Sequence, residues 1–137
     1  MAGVRRKARV TALKALYEFD CAGHEAEGVA RRLAEENGLP EEAASYAQEL
    51  IRGILENRER IDALVEESAP SWPIDQLSLI DRNILRLAIL EILIDNKVPP
   101  KAAINEAVEL AKTFGSNNSA KFINGVLGTV STKQDFK

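Results

Sequence analysis

The sequence predicts an all-α protein, a compact bundle of about six or seven helices, and three observations predict it. The stretch from Trp72 to Ile94 is the densest apolar run in the chain and keeps a helical period. In the other segments apolar residues recur three and four apart, and no alternating run of strand type occurs. Proline falls at the joints of this pattern, where its missing N–H and fixed φ are tolerated.

From Arg5 to about Phe19, residues Ala8, Ala12, Leu13, Leu16 and Phe19 share a helix face, and Ala and Leu favour helix. A second, short helix fits Ala26 to Glu36, with Val29, Ala30 and Leu33 inward and Gly38 and Pro40 closing it. From Pro40 the series Ala47, Leu50, Ile51, Ile54, Leu55, Ile61, Leu64, Val65 continues to Glu67. That span gives about 28 residues and about 40 Å of helix, with a bend expected near Gly53 or Asn57. Ser68-Ala69-Pro70-Ser71 breaks it.

Pro73 and Asp75 then read as a turn and helix entry. In the helix that follows, Arg82, Asn83 and Arg86 share a polar arc opposite Ile80, Ile84, Leu85, Ala88 and Ile92. Beyond Arg86 the arc fills with Leu90 and Leu93, so this helix must be surrounded, and Asp81, Arg82, Arg86 and Glu91 argue for protein rather than lipid. A buried Arg86 needs a counter-charge, and Glu106 or Glu109 is the expected one.

After the loop at Asp95-Asn96-Lys97, Pro99-Pro100 restarts the chain. Ile104, Ala107, Val108 and Ala111 form the next stripe, and Gly115 stops it. Ser116 to Ser119 offer N-cap candidates for a last helix buried through Ile123, Val126, Leu127 and Val130. Residues 131–137 are polar and expected to fray. The whole reads as one helical domain over residues 1–137, a length sufficient for a real core.

The formal charge of −3 is unevenly spread: residues 1–17 carry +5 with no acid, and the remainder carries −8. A small basic end on an acidic body points to an anionic partner. Cys21 is the only cysteine, so no intrachain disulfide can form, and a reduced cytoplasmic setting is expected. No apolar run follows the basic residues, so the N-terminus does not read as a secretory signal, and the sequon at Asn117 carries no weight.

Catalysis finds no support. His24 is the only histidine, beside a glycine, with no cluster to hold a metal. Cys21 and His24, three apart, read as a helix end and loop rather than nucleophile and base. No glycine-rich phosphate loop occurs, and the acid pairs Glu35-Glu36, Glu41-Glu42 and Glu66-Glu67 read as solvated faces. No enzyme, cofactor or metal is expected.

Binding is better supported. Arg5, Arg6, Lys7 and Arg9 occupy the first turns of a helix, where the macrodipole disfavours cations by roughly 0.3–1 kcal/mol each when exposed. All four are expected to stand clear of the core. Phosphate recognition gives a reason to keep them there, since the guanidinium fork engages phosphate oxygens bidentately. The alternative is a merely solubilising end. A second cluster, Ser116, Asn117, Asn118, Ser119, Lys121 and Asn124, surrounds the start of the last helix. Phe122 lies beside that cluster, placed either to stack on an unpaired base or to join the core.

Three segments together resemble the NusB family of bacterial transcription antitermination factors. They are Arg5-Arg6-Lys7-Ala8-Arg9 with Ala12 to Tyr17, then Ile80 to Ala88, and then Pro100 to Lys112 with Lys121-Phe122-Ile123-Asn124-Gly125-Val126-Leu127. The match runs from about residue 5 to 130, and its last segment is the most specific. The resemblance implies two packed helical sub-bundles. It implies binding of the boxA element of nascent single-stranded RNA together with NusE, a ribosomal small-subunit protein. That binding belongs to the antitermination complex on RNA polymerase during ribosomal RNA transcription. By position, Arg5, Arg6, Lys7 and Arg9 fall on the arginine-rich RNA-binding motif. Asn118, Lys121 and Phe122 fall where the RNA surface continues, and Asp81 in the region facing NusE. Some relatives form homodimers that hide the RNA face, so the resemblance leaves a homodimer open.

Two rival readings stand beside it. A NusB-like module also opens certain RNA methyltransferases, an RNA-modifying system; with 137 residues no cofactor-binding sheet domain is expected, which disfavours that reading. The other is a protein-only helical adaptor, which salt-dependent RNA binding would exclude.

Overall fold

The computed structural model describes residues 2–94 and 98–132. Among them are seven α-helices and no strand. The loop at Asp95-Asn96-Lys97 and most of the expected frayed tail, residues 133–137, lie outside the described residues; Ser131 ends the last helix and Thr132 is a turn. No described helix is long and apolar enough to cross a membrane. The chain divides between Glu56 and Asn57 into two compact units.

The first unit holds α1 (Ala2–Ala22), α2 (Ala26–Glu36) and α3 (Glu41–Glu56), with α1 packed on both of the others and α2 on α3. Ala8, Ala12 and Ala15 are buried along α1, and their small side chains let neighbouring helices approach closely. Leu13 and Leu16 fill the spaces between, with Val29 and Ala30 of α2 and Leu50, Ile51 and Ile54 of α3 also buried. α2 ends in a Schellman turn: the Leu39 N–H donates to the Ala34 carbonyl at 2.9 Å and the Gly38 N–H to that of Glu35 at 3.3 Å. Gly38 sits at φ +60°, where a Cβ is disfavoured.

The continuous helix expected from Pro40 to Glu67 is two. Asn57, at φ −114° and ψ 18°, leaves helical geometry and starts α4 (Arg58–Ser68), so the expected bend is a break, and it falls at the boundary of the two units.

The second unit is built around α5 (Leu79–Ile89), which continues through a π-helical turn (Leu90–Ile94); α4, α6 (Pro100–Phe114) and α7 (Ser119–Ser131) pack against α5. Every residue from Asn83 to Leu93 is buried. The helix entry differs from expectation, since Asp75 lies in a separate 3-10 turn (Ile74–Gln76) and Ser78 caps α5, accepting from the Asp81 N–H at 3.1 Å. Arg86 has a carboxylate partner that the helix faces do not single out. Asp62 on α4 takes its Nε and Nη2 at 2.9 and 3.0 Å, and Nη1 donates to Asn83 Oδ1 at 3.2 Å. Helix-face geometry shows that Arg86 is buried but does not point to α4, which supplies the bidentate Asp62 carboxylate.

Candidate nucleic-acid interface

On the first unit, the basic opening of α1 is divided by the helix itself. At 100° per residue, Arg5 and Arg9 lie to one side of Arg6 and Lys7. The Arg5 guanidinium rests 5.5 Å from the centroid of the Tyr46 ring on α3, a cation–π arrangement. Arg9 is only 4% exposed, so protein encloses most of its side chain. The expectation that all four cations stand clear of the core is therefore corrected: Arg6 and Lys7 are exposed, Arg5 is half-buried and Arg9 is buried. Lys14, also exposed, adds a further cation on the side of Arg6 and Lys7.

On the second unit, the start of α7, the 3-10 turn and the start of α5 enclose a groove of about 500 Å³. Its lining includes Trp72, Ser78, Asp81, Asn118, Lys121 and Phe122. Asn118, Lys121, Phe122 and Asp81, singled out in the sequence for two different partners, thus line one groove. Phe122 is half-buried rather than fully in the core, and its ring meets Trp72 edge-on, with centroids 6.0 Å apart at 70°. Trp72 is 55% exposed, so the pair presents aromatic surface to solvent. Among the described residues, Asp81 Oδ1 is buried there without a hydrogen-bond partner.

The turn into α7 is held by Ser119 rather than by an Asn118 cap. Ser119 Oγ accepts from the Ser116 N–H at 2.9 Å and lies 3.2 Å from Ser116 Oγ, while Asn118 makes no side-chain cap bond. Gly115 is needed here for closeness, not for a left-handed backbone. Its φ is −92°, but a Cβ would fall 2.5 Å from Ser119 Oγ and 2.8 Å from the Ala111 carbonyl oxygen. Asn118 and Lys121 are left exposed at the groove's rim.

Periodicity does not single out Trp72, Gln76 and Ser78 as groove residues. The available signal is a lone tryptophan in a proline-bounded turn, where no helix face exists to bury it. His24 and Cys21 lie outside both surfaces. His24 Nδ1 is 2.6 Å from Glu18 Oε2, and Arg32 Nη2 donates to Glu18 Oε1 at 3.2 Å; these bonds hold the Glu18 carboxyl below its usual pKa.

The NusB family model matches residues 6–132. The chain belongs to the NusB family. It is 54% identical over 127 residues to the transcription antitermination protein NusB of Dehalococcoides mccartyi strain CBDB1, covering 93% of this chain and 89% of that protein. The NusB protein of Roseiflexus sp. strain RS-1 is 48% identical over 132 residues, covering 95% and 93%. Among solved structures, Thermotoga maritima NusB superposes with a TM-score of 0.87 at 35% identity, covering 94% of this chain and 91% of that one. A crystal structure of the antitermination factors NusB and NusE in complex with double-stranded RNA matches with a TM-score of 0.87 at 29% identity, covering 97% and 99%. These NusB structures share the all-helical fold described above.

Proposed function

We propose that this NusB-family chain is an RNA-binding transcription antitermination factor, a binding protein rather than an enzyme, acting in the cytoplasm. It engages boxA-type single-stranded RNA together with NusE, within the antitermination complex on RNA polymerase, and promotes processive ribosomal RNA transcription. Its two helical units act as one NusB-like domain. Arg6 and Lys7, with Arg5 beside them, supply phosphate contacts; Asn118, Lys121 and Phe122 supply polar and stacking contacts. Arg9 supports that surface from inside, and Asp81 faces NusE.

The observation behind this reading is the second unit's groove, where an aromatic pair, an amide and an ammonium converge. Stacking on exposed rings with cations alongside is how proteins hold unpaired bases. The related NusB–NusE complex contains double-stranded RNA, so the test includes both forms. Anisotropy titration of labelled boxA-type single strand, with and without NusE, should show binding that weakens steeply with salt and survives a duplex competitor. Absence of salt-dependent RNA binding in both titrations would leave the protein-only adaptor instead.

A further inference from the structure

The outward side of α1 is not a flat basic strip. Arg6, Lys7, Val10 and Lys14 line a cleft of about 290 Å³, whose opposite wall is Leu33, Asn37 and Leu39 at the end of α2. Val10, Leu33 and Leu39 are each only half-buried, so the cleft is apolar between its walls while cations stand along one rim. The wall on α2 is made by the Schellman turn, which reverses the chain at Gly38 and brings Leu39 back toward the residues before the cap. Asn37 Nδ2 is committed to the Leu33 carbonyl at 2.9 Å, which fixes the amide at the rim. None of the lining residues is acidic.

We infer that this cleft takes one unpaired nucleotide of the bound RNA, its base against Val10, Leu33 and Leu39 and its flanking phosphates on Arg6, Lys7 and Lys14. The inference rests on the proposed RNA-binding function and adds to it a second base-holding site, on the first unit, and Lys14 as a phosphate ligand. Three features favour a nucleotide over other occupants. The volume is comparable to that of a single nucleotide. The charge complements phosphate, and Lys14 stands two turns along α1 from Lys7, so cations flank the apolar floor at both ends. The cleft is also continuous with Arg6 and Lys7, the exposed part of the basic motif.

The test is an abasic scan. BoxA-type single-stranded RNA is synthesised with one base at a time removed and titrated against wild type, Val10→Trp, which fills the cleft, and Lys14→Ala. Wild type should lose about tenfold in affinity at the position whose base enters the cleft. In Val10→Trp, checked for helicity by circular dichroism, the intact RNA should bind about tenfold more weakly, and the abasic penalty at that position should vanish. Lys14→Ala should lower the slope of log affinity against log salt by about one. The inference fails if every abasic penalty persists in Val10→Trp, or, should that variant not fold, if Lys14→Ala leaves the salt slope unchanged. It also fails if Val10→Trp spares RNA but weakens NusE binding, because the cleft then holds protein. Wild type that binds no RNA overturns the functional proposal as well, whereas tight wild-type binding with no cleft-dependent position overturns this inference alone.

Discussion

Arg86 and Asp62 form a two-bond ion pair, 2.9 and 3.0 Å long, that ties α5 to α4. The arginine side chain is 4% exposed and the carboxylate 21%, so removing the acid takes the bidentate carboxylate away from a buried guanidinium. Asp62→Ala should cost ~3 kcal/mol, near the lower end for breaking a buried pair because Asp62 is partly wet. Asp62→Leu combined with Arg86→Met should recover much of that loss. Denaturant melts of both singles and the double give the coupling, and additivity would show that the pair contributes nothing.

The core around this pair is tightly enclosed. Ile84 is fully buried, and Ile84→Ala should destabilise by ~2–5 kcal/mol, the cost of reduced burial plus cavity. Ala88, 2% exposed, cannot accept a carboxylate, so Ala88→Asp should prevent folding or lower the melting temperature sharply. A change below ~0.5 kcal/mol for Ile84→Ala would place that face on the surface.

The basic opening of α1 should split into two behaviours. Arg6→Ala with Lys7→Ala should leave stability nearly unchanged, since both are exposed and oppose the helix dipole. The same pair should lower the salt slope of RNA binding by about two, one for each phosphate left without its cation. Arg9→Ala should instead lower stability by ~1–3 kcal/mol, because its enclosed stem no longer packs. Melting curves and salt titrations on the same preparations separate the two effects.

Local chemistry is legible in the sequence where one helix settles the matter alone. The bounds of α2, the burial of α5 and the break after Ser68 follow from period and breakers, and the structure agrees with each. What is not legible depends on which helices become neighbours. Period places Arg86 inward but is silent on Asp62, and it cannot tell that Arg9 is covered while Arg6 is not. Gly115 reads as a helix stop, yet its requirement comes from Ser119 folding back upon it. The groove on the second unit joins Trp72, Asp81 and Phe122 from three separate elements, and no single-helix pattern contains it.

The Glu18 carboxyl, held low first by His24 and then by Arg32, predicts a small acid-limb effect. A depressed native pKa contributes stability above the ordinary value of 4.5, and that contribution is lost as pH falls through the lower native value. Glu18→Gln should therefore lower the melting temperature slightly at neutral pH and converge with wild type in acid, which flattens the melting temperature against pH in that range. An unchanged acid limb would show that the exposed cluster is not coupled to folding.

Trp72 and Phe122 offer the most direct reading of the groove. Trp72 is the only tryptophan, 55% exposed and edge-on to Phe122, so its emission reports on what enters. RNA that stacks there should quench or shift the emission, and the change should saturate with the anisotropy signal. Phe122→Ala should weaken RNA binding by ~1–3 kcal/mol while leaving the salt slope unchanged, because stacking releases no counterions. Removing the edge-to-face pairing should itself cost ~0.5–1.5 kcal/mol of stability, beyond the reduced burial, so affinity must be expressed per folded molecule. Lys121→Ala gives the complementary result, a slope lower by about one with the emission change retained. If Phe122→Ala lowers the melting temperature but leaves affinity per folded molecule intact, the ring only packs against Trp72. Asn118 and Lys121 would then meet RNA without it.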